Sequence, residues 1–169
     1  EEVVRYAARI LKTLRAASSE AAGERQPSSS ASMRITIRRD ALVGLRGLVV
    51  EDNDPLRESL ALALRASSMD VLEAPDGETA LEVLRVNADN LPDIVVLDVM
   101  LPGMNGLDLL RHLREMPAFD TIPIIAMSAI DRREVVLAMH ELGIREYLLK
   151  PVRLERFLEV VTGILRPKS

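Results

Sequence analysis

Between residues 47 and 165, short aliphatic runs alternate with longer stretches in which apolar residues recur every three or four positions. The runs GLVVE (47–51), DVLEA (70–74), DIVVLD (93–98), IPIIAMS (122–128) and REYLLK (145–150) have strand length and read as five strands. The stretches near 55–67, 76–88, 106–115, 131–141 and 153–165 have the length and period of amphipathic helices. Strict alternation of the two predicts a parallel sheet with helices on both faces, a doubly wound α/β fold. Covering on both faces also explains why 94–97 and 122–127 are continuously apolar instead of alternating.

Upstream the pattern changes. Val4, Ala7, Leu11 and Leu14 fall at a and d spacing with Val3 and Ile10 beside them, which predicts an amphipathic helix over 1–17. Two heptads do not make a coiled coil, but such a helix can pair with a second copy of the chain or pack on the folded region. The next segment, SSEAAGERQPSSSAS, has linker composition, so 18–44 is expected to be a linker in which MRITIRR is a short strand or a charged tether. The main domain is expected over 45–169. Charge divides the chain at nearly the same place: residues 1–46 hold nine Lys/Arg against five Asp/Glu, and 47–169 hold thirteen against twenty-one. An acidic folded region is a poor match for DNA, and no effector domain is expected after Ser169, so no nucleic-acid partner is expected.

Composition removes further classes. The absence of cysteine excludes disulfides, thiolate catalysis and zinc–thiolate sites. With 2% aromatic residues there are almost no platforms on which bases could stack. The apolar runs are strand-sized and no signal-peptide pattern is present, so a cytoplasmic protein without membrane contact is expected. The first residue is Glu1, which suggests a chain that begins inside a longer gene product.

In doubly wound sheets, ligands bind outside the carboxyl ends of the strands. Glu51 and Asp52 close the first expected strand, Asp98 the third, Ser128 the fourth and Lys150 the fifth. Each has a plain local reading. EDND can be a polar loop that caps the helix opened by Pro55, Ser128 can cap the next helix, Lys150 can be a strand end, and LPGMNG is a turn. Those readings leave unexplained why all these groups meet at one sheet edge, where buried charge is costly unless paired or bound to a metal. Crowded carboxylates are relieved by a hard divalent cation, Mg²⁺ being typically held by one or two of them together with phosphate oxygens. A carboxylate oxygen so placed can attack phosphorus, with the ammonium and hydroxyl neutralising the phosphoryl oxygens.

The blocks LVVEDN, DIVVLDVMLPGMNG, IIAMSA and YLLKP resemble, in order and spacing, the response regulator receiver domain of two-component signalling. The resemblance covers about 45–166. It implies the flavodoxin-like strand order 2-1-3-4-5, Asp98 as phosphoacceptor, and Mg²⁺ held by Glu51, Asp52, Asp98 and the backbone carbonyl of Met100. It implies that Lys150 contacts the phosphoryl group, that a cis peptide bond precedes Pro151, and that small Ala129 leaves the group accessible. Ser128 and Tyr147 would form the switch, Ser128 moving toward the phosphoryl oxygens as Tyr147 turns inward. The implied donor is a histidine kinase or a histidine phosphotransfer protein, and the implied output is a protein partner at the surface of the fourth helix, fifth strand and fifth helix.

Departures from the family pattern are small. Glu51 stands where many members have Asp, and Ser128 where many have Thr. Apolar Met100 and Ile130 predict slow self-dephosphorylation. His112 and His140 are expected on the surface, not as phosphodonors. The stretch ALVGLRGLVVEDN resembles the junction to a kinase core, so the context is either a stand-alone receiver or the carboxyl-terminal receiver of a hybrid histidine kinase. No enzyme activity is expected beyond phosphoryl transfer to Asp98 and its loss. Three other readings stay open: an aspartate-nucleophile phosphatase, although Met100 stands where its second Asp belongs; a flavin-binding module, although EDNDP is a poor phosphate loop; and a receiver-like scaffold that is never phosphorylated.

Overall fold

The computed structural model of the chain describes residues 42–166 apart from Asp131 and Arg145. The helix expected over 1–17, its possible pairing, and nearly all of the linker with its possible strand lie outside the described residues.

The elements are β1 (Arg46–Val50), α1 (Asp54–Ala66), β2 (Asp70–Ala74), α2 (Gly77–Val86), β3 (Ile94–Asp98), α3 (Gly106–Arg114), β4 (Ile124–Ser128), α4 (Arg133–Glu141), β5 (Glu146–Leu149) and α5 (Leu154–Leu165). All strand pairs are parallel and the order is β2-β1-β3-β4-β5, the doubly wound, flavodoxin-like arrangement expected. Local chemistry starts three helices: Asn53 accepts the Leu56 amide at 2.9 Å, Asp76 the Thr79 amide at 2.7 Å, and Asn105 the Asp108 amide at 2.9 Å.

Alternation along each strand splits the core into two layers. Ile94 and Val96 of β3 face one way with Val49, Ile125, Met127 and Leu148, under Leu60 and Leu64 of α1 and Phe157 and Val161 of α5. Val95 and Leu97 face the other way with Leu48, Val50 and Ala126, under α2, α3 and α4 through Leu84, Leu109, Leu113 and Met139. Every residue of β3 and β4 is buried, as sheets covered on both faces require.

The structure departs from the sequence reading at the boundaries. β4 starts at Ile124, not at 122, because Pro123 has no amide to donate; its carbonyl still accepts the Val95 amide at 3.0 Å. β1 ends at Val50, so Glu51 lies one residue beyond it, with its amide on the Ala74 carbonyl at 3.1 Å. A 3₁₀ helix over Pro117–Asp120, which the pattern did not suggest, seats Phe119 in the core. Ser128 caps no helix: α4 starts at Arg133 without a side-chain cap. Leu42, within the segment read as linker, is fully buried in the α1/α5 layer, its amide on the Ser67 carbonyl at 3.1 Å. Among the described residues no helix is long and apolar enough to cross a membrane.

Candidate functional site

Parallel strands bring all their carboxyl ends to one edge, and pairing of β1 with β3 sets Glu51 and Asp52 beside Asp98. Asp98, the last residue of β3, is 2% exposed; Glu51 is fully buried and Asp52 is exposed at the mouth. One oxygen from each of the three carboxylates lies within 4.8 Å of the others. Asp98 Oδ1 accepts the Met100 amide at 2.8 Å, and Oδ2 accepts Lys150 Nζ at 2.6 Å. Lys150 Nζ also stands 2.8 Å from Glu51 Oε2. Glu51 Oε1 accepts the Asn53 amide at 3.1 Å. Oε2, by contrast, feels Lys150 as a nearby charge but accepts no well-formed hydrogen bond.

Burial pushes the Glu51 carboxyl up to about 7, with the Asp98 charge adding to the rise and Lys150 and the Asn53 amide opposing it. Burial pulls the Lys150 ammonium down, but its bonds to Asp98 and Glu51 outweigh this and hold it above the ordinary lysine range. The lysine therefore stays charged at neutral pH. Two buried carboxylates share this single cation, and Glu51 Oε2 meets Lys150 only as a close ion pair at 2.8 Å. This donor set, three carboxylates with oxygens within 4.8 Å of one another and one ammonium to offset them, fits a hard divalent cation such as Mg²⁺.

Met100, Ser128, Ala129 and Pro151 lie at or just past the carboxyl ends of their strands, at the same edge, and the Tyr147 hydroxyl reaches the loop after Ser128. Ser128 is fully buried; its Oγ accepts the Ile130 amide at 3.0 Å and faces the Ile130 carbonyl at 3.4 Å. The Tyr147 hydroxyl donates to that same carbonyl at 2.6 Å. Ser128 and Tyr147 therefore meet at one peptide group, a link that nothing in the sequence reading foresaw. The Met100 side chain is 53% exposed, Ala129 is exposed, and the Lys150–Pro151 peptide is cis. His112 and His140 are both exposed.

Two supporting residues were also missed. Arg57 of α1 donates to the Glu51 carbonyl, and Glu78 of α2 accepts the Met104 amide at 3.2 Å in the loop after Asp98. Arg57 acts on a carbonyl six residues back and Glu78 on an amide in another loop, and a bond to main chain leaves no residue-type signal in the sequence.

Fold and site together define a class: a flavodoxin-like α/β domain whose polar chemistry is collected in an acidic cluster and one lysine at the carboxyl edge of its sheet. The sequence profile of the response regulator receiver domain matches residues 48–162, and the chain belongs to that family of two-component signalling domains. Among its relatives, the response regulator MprA of Mycobacterium sp. (strain KMS) is 39% identical over 125 residues, covering 74% of this chain and 52% of that protein. The transcriptional regulatory protein CseB of Streptomyces avermitilis is 43% identical over 105 residues, 62% of this chain and 42% of that one. The chain thus spans about half the length of these curated relatives. The Francisella response regulator 1452 receiver domain superposes with a TM-score of 0.61 at 28% identity, covering 72% of this chain and 95% of that domain.

Proposed function

We propose that the chain accepts a phosphoryl group onto Asp98 from a phosphohistidine donor, a histidine kinase or a histidine phosphotransfer protein, and that the modified state is recognised by a protein partner. The observation that carries this is a nearly buried carboxylate held 2.6 Å from a lysine and inside a three-carboxylate cluster. Glu51, Asp52, Asp98 and the Met100 carbonyl would hold Mg²⁺, which when bound supplies positive charge against the transferring phosphoryl oxygens. The Met100 amide fixes the rotation of the Asp98 carboxylate. An Asp98 oxygen attacks phosphorus; the new O–P bond forms as the P–N bond breaks and its electron pair returns to the donor imidazole. Lys150, already on Asp98 Oδ2, stays within reach of the phosphoryl group carried there.

Ser128 is the hydroxyl that turns toward the phosphoryl oxygens. To do so it gives up the Ile130 amide, and Tyr147 is bonded to the carbonyl of that residue. Movement of the one is thereby felt by the other, which biases the α4–β5–α5 surface between two arrangements. That surface presents Leu137 and Leu149, each about half exposed. Apolar residues there and the acidic balance of the folded region favour a protein partner over DNA. Met100 and Ile130 offer no polar group to orient an attacking water, so the phosphoryl group is long-lived. The setting is cytoplasmic, and the junction before β1 favours a receiver attached to a histidine kinase.

The test is incubation with Mg²⁺ and acetyl phosphate, read by intact mass. The expected result is a lasting gain of one phosphoryl group that Asp98→Asn abolishes. Continuous hydrolysis of many phosphate esters would point to a phosphatase instead, and no uptake at all would point to a silent scaffold.

A further inference from the structure

The loop between β1 and α1 must keep Glu51 buried and Asp52 at the mouth, close to Asp98, against the repulsion of three like charges. Arg57 closes on this loop from the first turn of α1. Its side chain is 14% exposed; Nη1 donates to the Glu51 carbonyl oxygen at 2.8 Å and Nη2 to Asp54 Oδ1 at 2.5 Å. On its other side Nε stands 3.7 Å from Glu73 Oε2 on β2. Glu73 is itself held by Arg65, whose Nη2 lies 2.8 Å from Oε1 and also donates to the Val71 carbonyl at 3.1 Å. The guanidinium therefore holds the Glu51 carbonyl and Asp54 through two nitrogens at once, a geometry that a single-point ammonium does not reproduce, and meets the neighbouring strand through the longer ion pair to Glu73.

We infer that Arg57 is a positioning residue for the divalent-cation site, acting through the Glu51 carbonyl and anchored on Glu73. The inference rests on the proposed function, since it assigns a support to that same site. Two effects of removing Arg57 have opposite signs, which makes the inference decidable. By charge alone, losing a cation and leaving Asp54 uncompensated, with Glu73 still paired to Arg65, makes the neighbourhood more negative and tightens Mg²⁺ binding. By position, freeing the Glu51 backbone lets the carboxylates spread and weakens binding. Asp54 already offsets the Arg57 charge at 2.5 Å, so position dominates.

The experiment titrates Mg²⁺ by calorimetry into the full chain, wild type against Arg57→Gln and Glu73→Gln. It also records the acetyl phosphate reaction over a range of Mg²⁺ concentrations and thermal unfolding in EDTA. Arg57→Gln is expected to weaken Mg²⁺ binding about tenfold, the scale on which groups behind metal ligands act. The half-saturating Mg²⁺ concentration should rise by the same factor, while the rate at saturating Mg²⁺ stays near wild type. Glu73→Gln leaves the Glu51 and Asp54 bonds of Arg57 in place and should shift affinity in the same direction by less. Equal or tighter Mg²⁺ binding in a folded Arg57→Gln chain overturns the inference, whatever happens to its melting temperature. If that variant does not fold, Glu73→Gln decides: unchanged affinity overturns the inference. A wild-type chain that binds no Mg²⁺ and gains no phosphoryl group is a separate outcome, which removes the proposed function and the inference with it.

Discussion

Asp76 opens α2 by accepting the Thr79 amide, and hydrogen bonding from Thr79, by side chain and by amide, holds its carboxyl below the ordinary aspartate range. A folded-state pKa lowered in this way contributes stability that is fully present above the unfolded value of about 3.8 and disappears as pH falls through the folded value. Asp76→Ala should therefore lower the free energy of unfolding by about 1 kcal/mol at pH 7. The gap between variant and wild type should close as urea unfolding is repeated at successively lower pH below about 3.8. At this scale the sequence was informative wherever a residue's own neighbours reveal its role. A charge ending an aliphatic run marks Asp98, and the polar EDND before Pro55 marks a helix start. Arg57 and Glu78 were not legible, because a side chain bonded to a main-chain group leaves no residue-type signal, whether its partner lies six positions away or twenty-six.

The turn from β3 into α3 shows what the elements demand of one another. Gly106 donates its amide to the Val99 carbonyl at 3.0 Å, and a Cβ on it would stand 2.6 Å from the Val99 Cα and closer still to the Asp98 carbonyl oxygen. Neither obstacle is a flexible side-chain end, so the helix must back away from the strand. Gly106→Ala is expected to cost about 1–3 kcal/mol, read as a lower melting temperature in the absence of Mg²⁺. Gly103, at φ +70°, makes the turn that lets the chain enter α3 at this close approach. Element types and order were readable from periodicity alone, because strands and helices each repeat their own signal several times. Their ends were less so: Pro123 trimmed β4 for want of an amide, and the Pro117–Asp120 turn exists to seat Phe119, a demand set by the core and not by local pattern.

The packed unit as a whole reaches further upstream than composition suggests. Leu42 follows a polar Ser-rich stretch and has no periodic partner in sequence, yet it is fully buried against the α1/α5 layer that Ile164 and Leu165 also cover. Leu42→Ala should destabilise the chain by about 2–5 kcal/mol in urea unfolding. A result within about 0.5 kcal/mol of wild type, the range of ordinary surface changes, would show that Leu42 does not belong to the core. The same placement has a spatial corollary. Leu42 enters beside the last turn of α1, and α5 returns to that end of the sheet, so both joints between this unit and the rest of the chain sit at the pole opposite Asp98. A segment joined at either point leaves the domain from its back, away from the acidic edge. For such a segment to meet Asp98, its connector must be long enough to pass from the back of the sheet to the front.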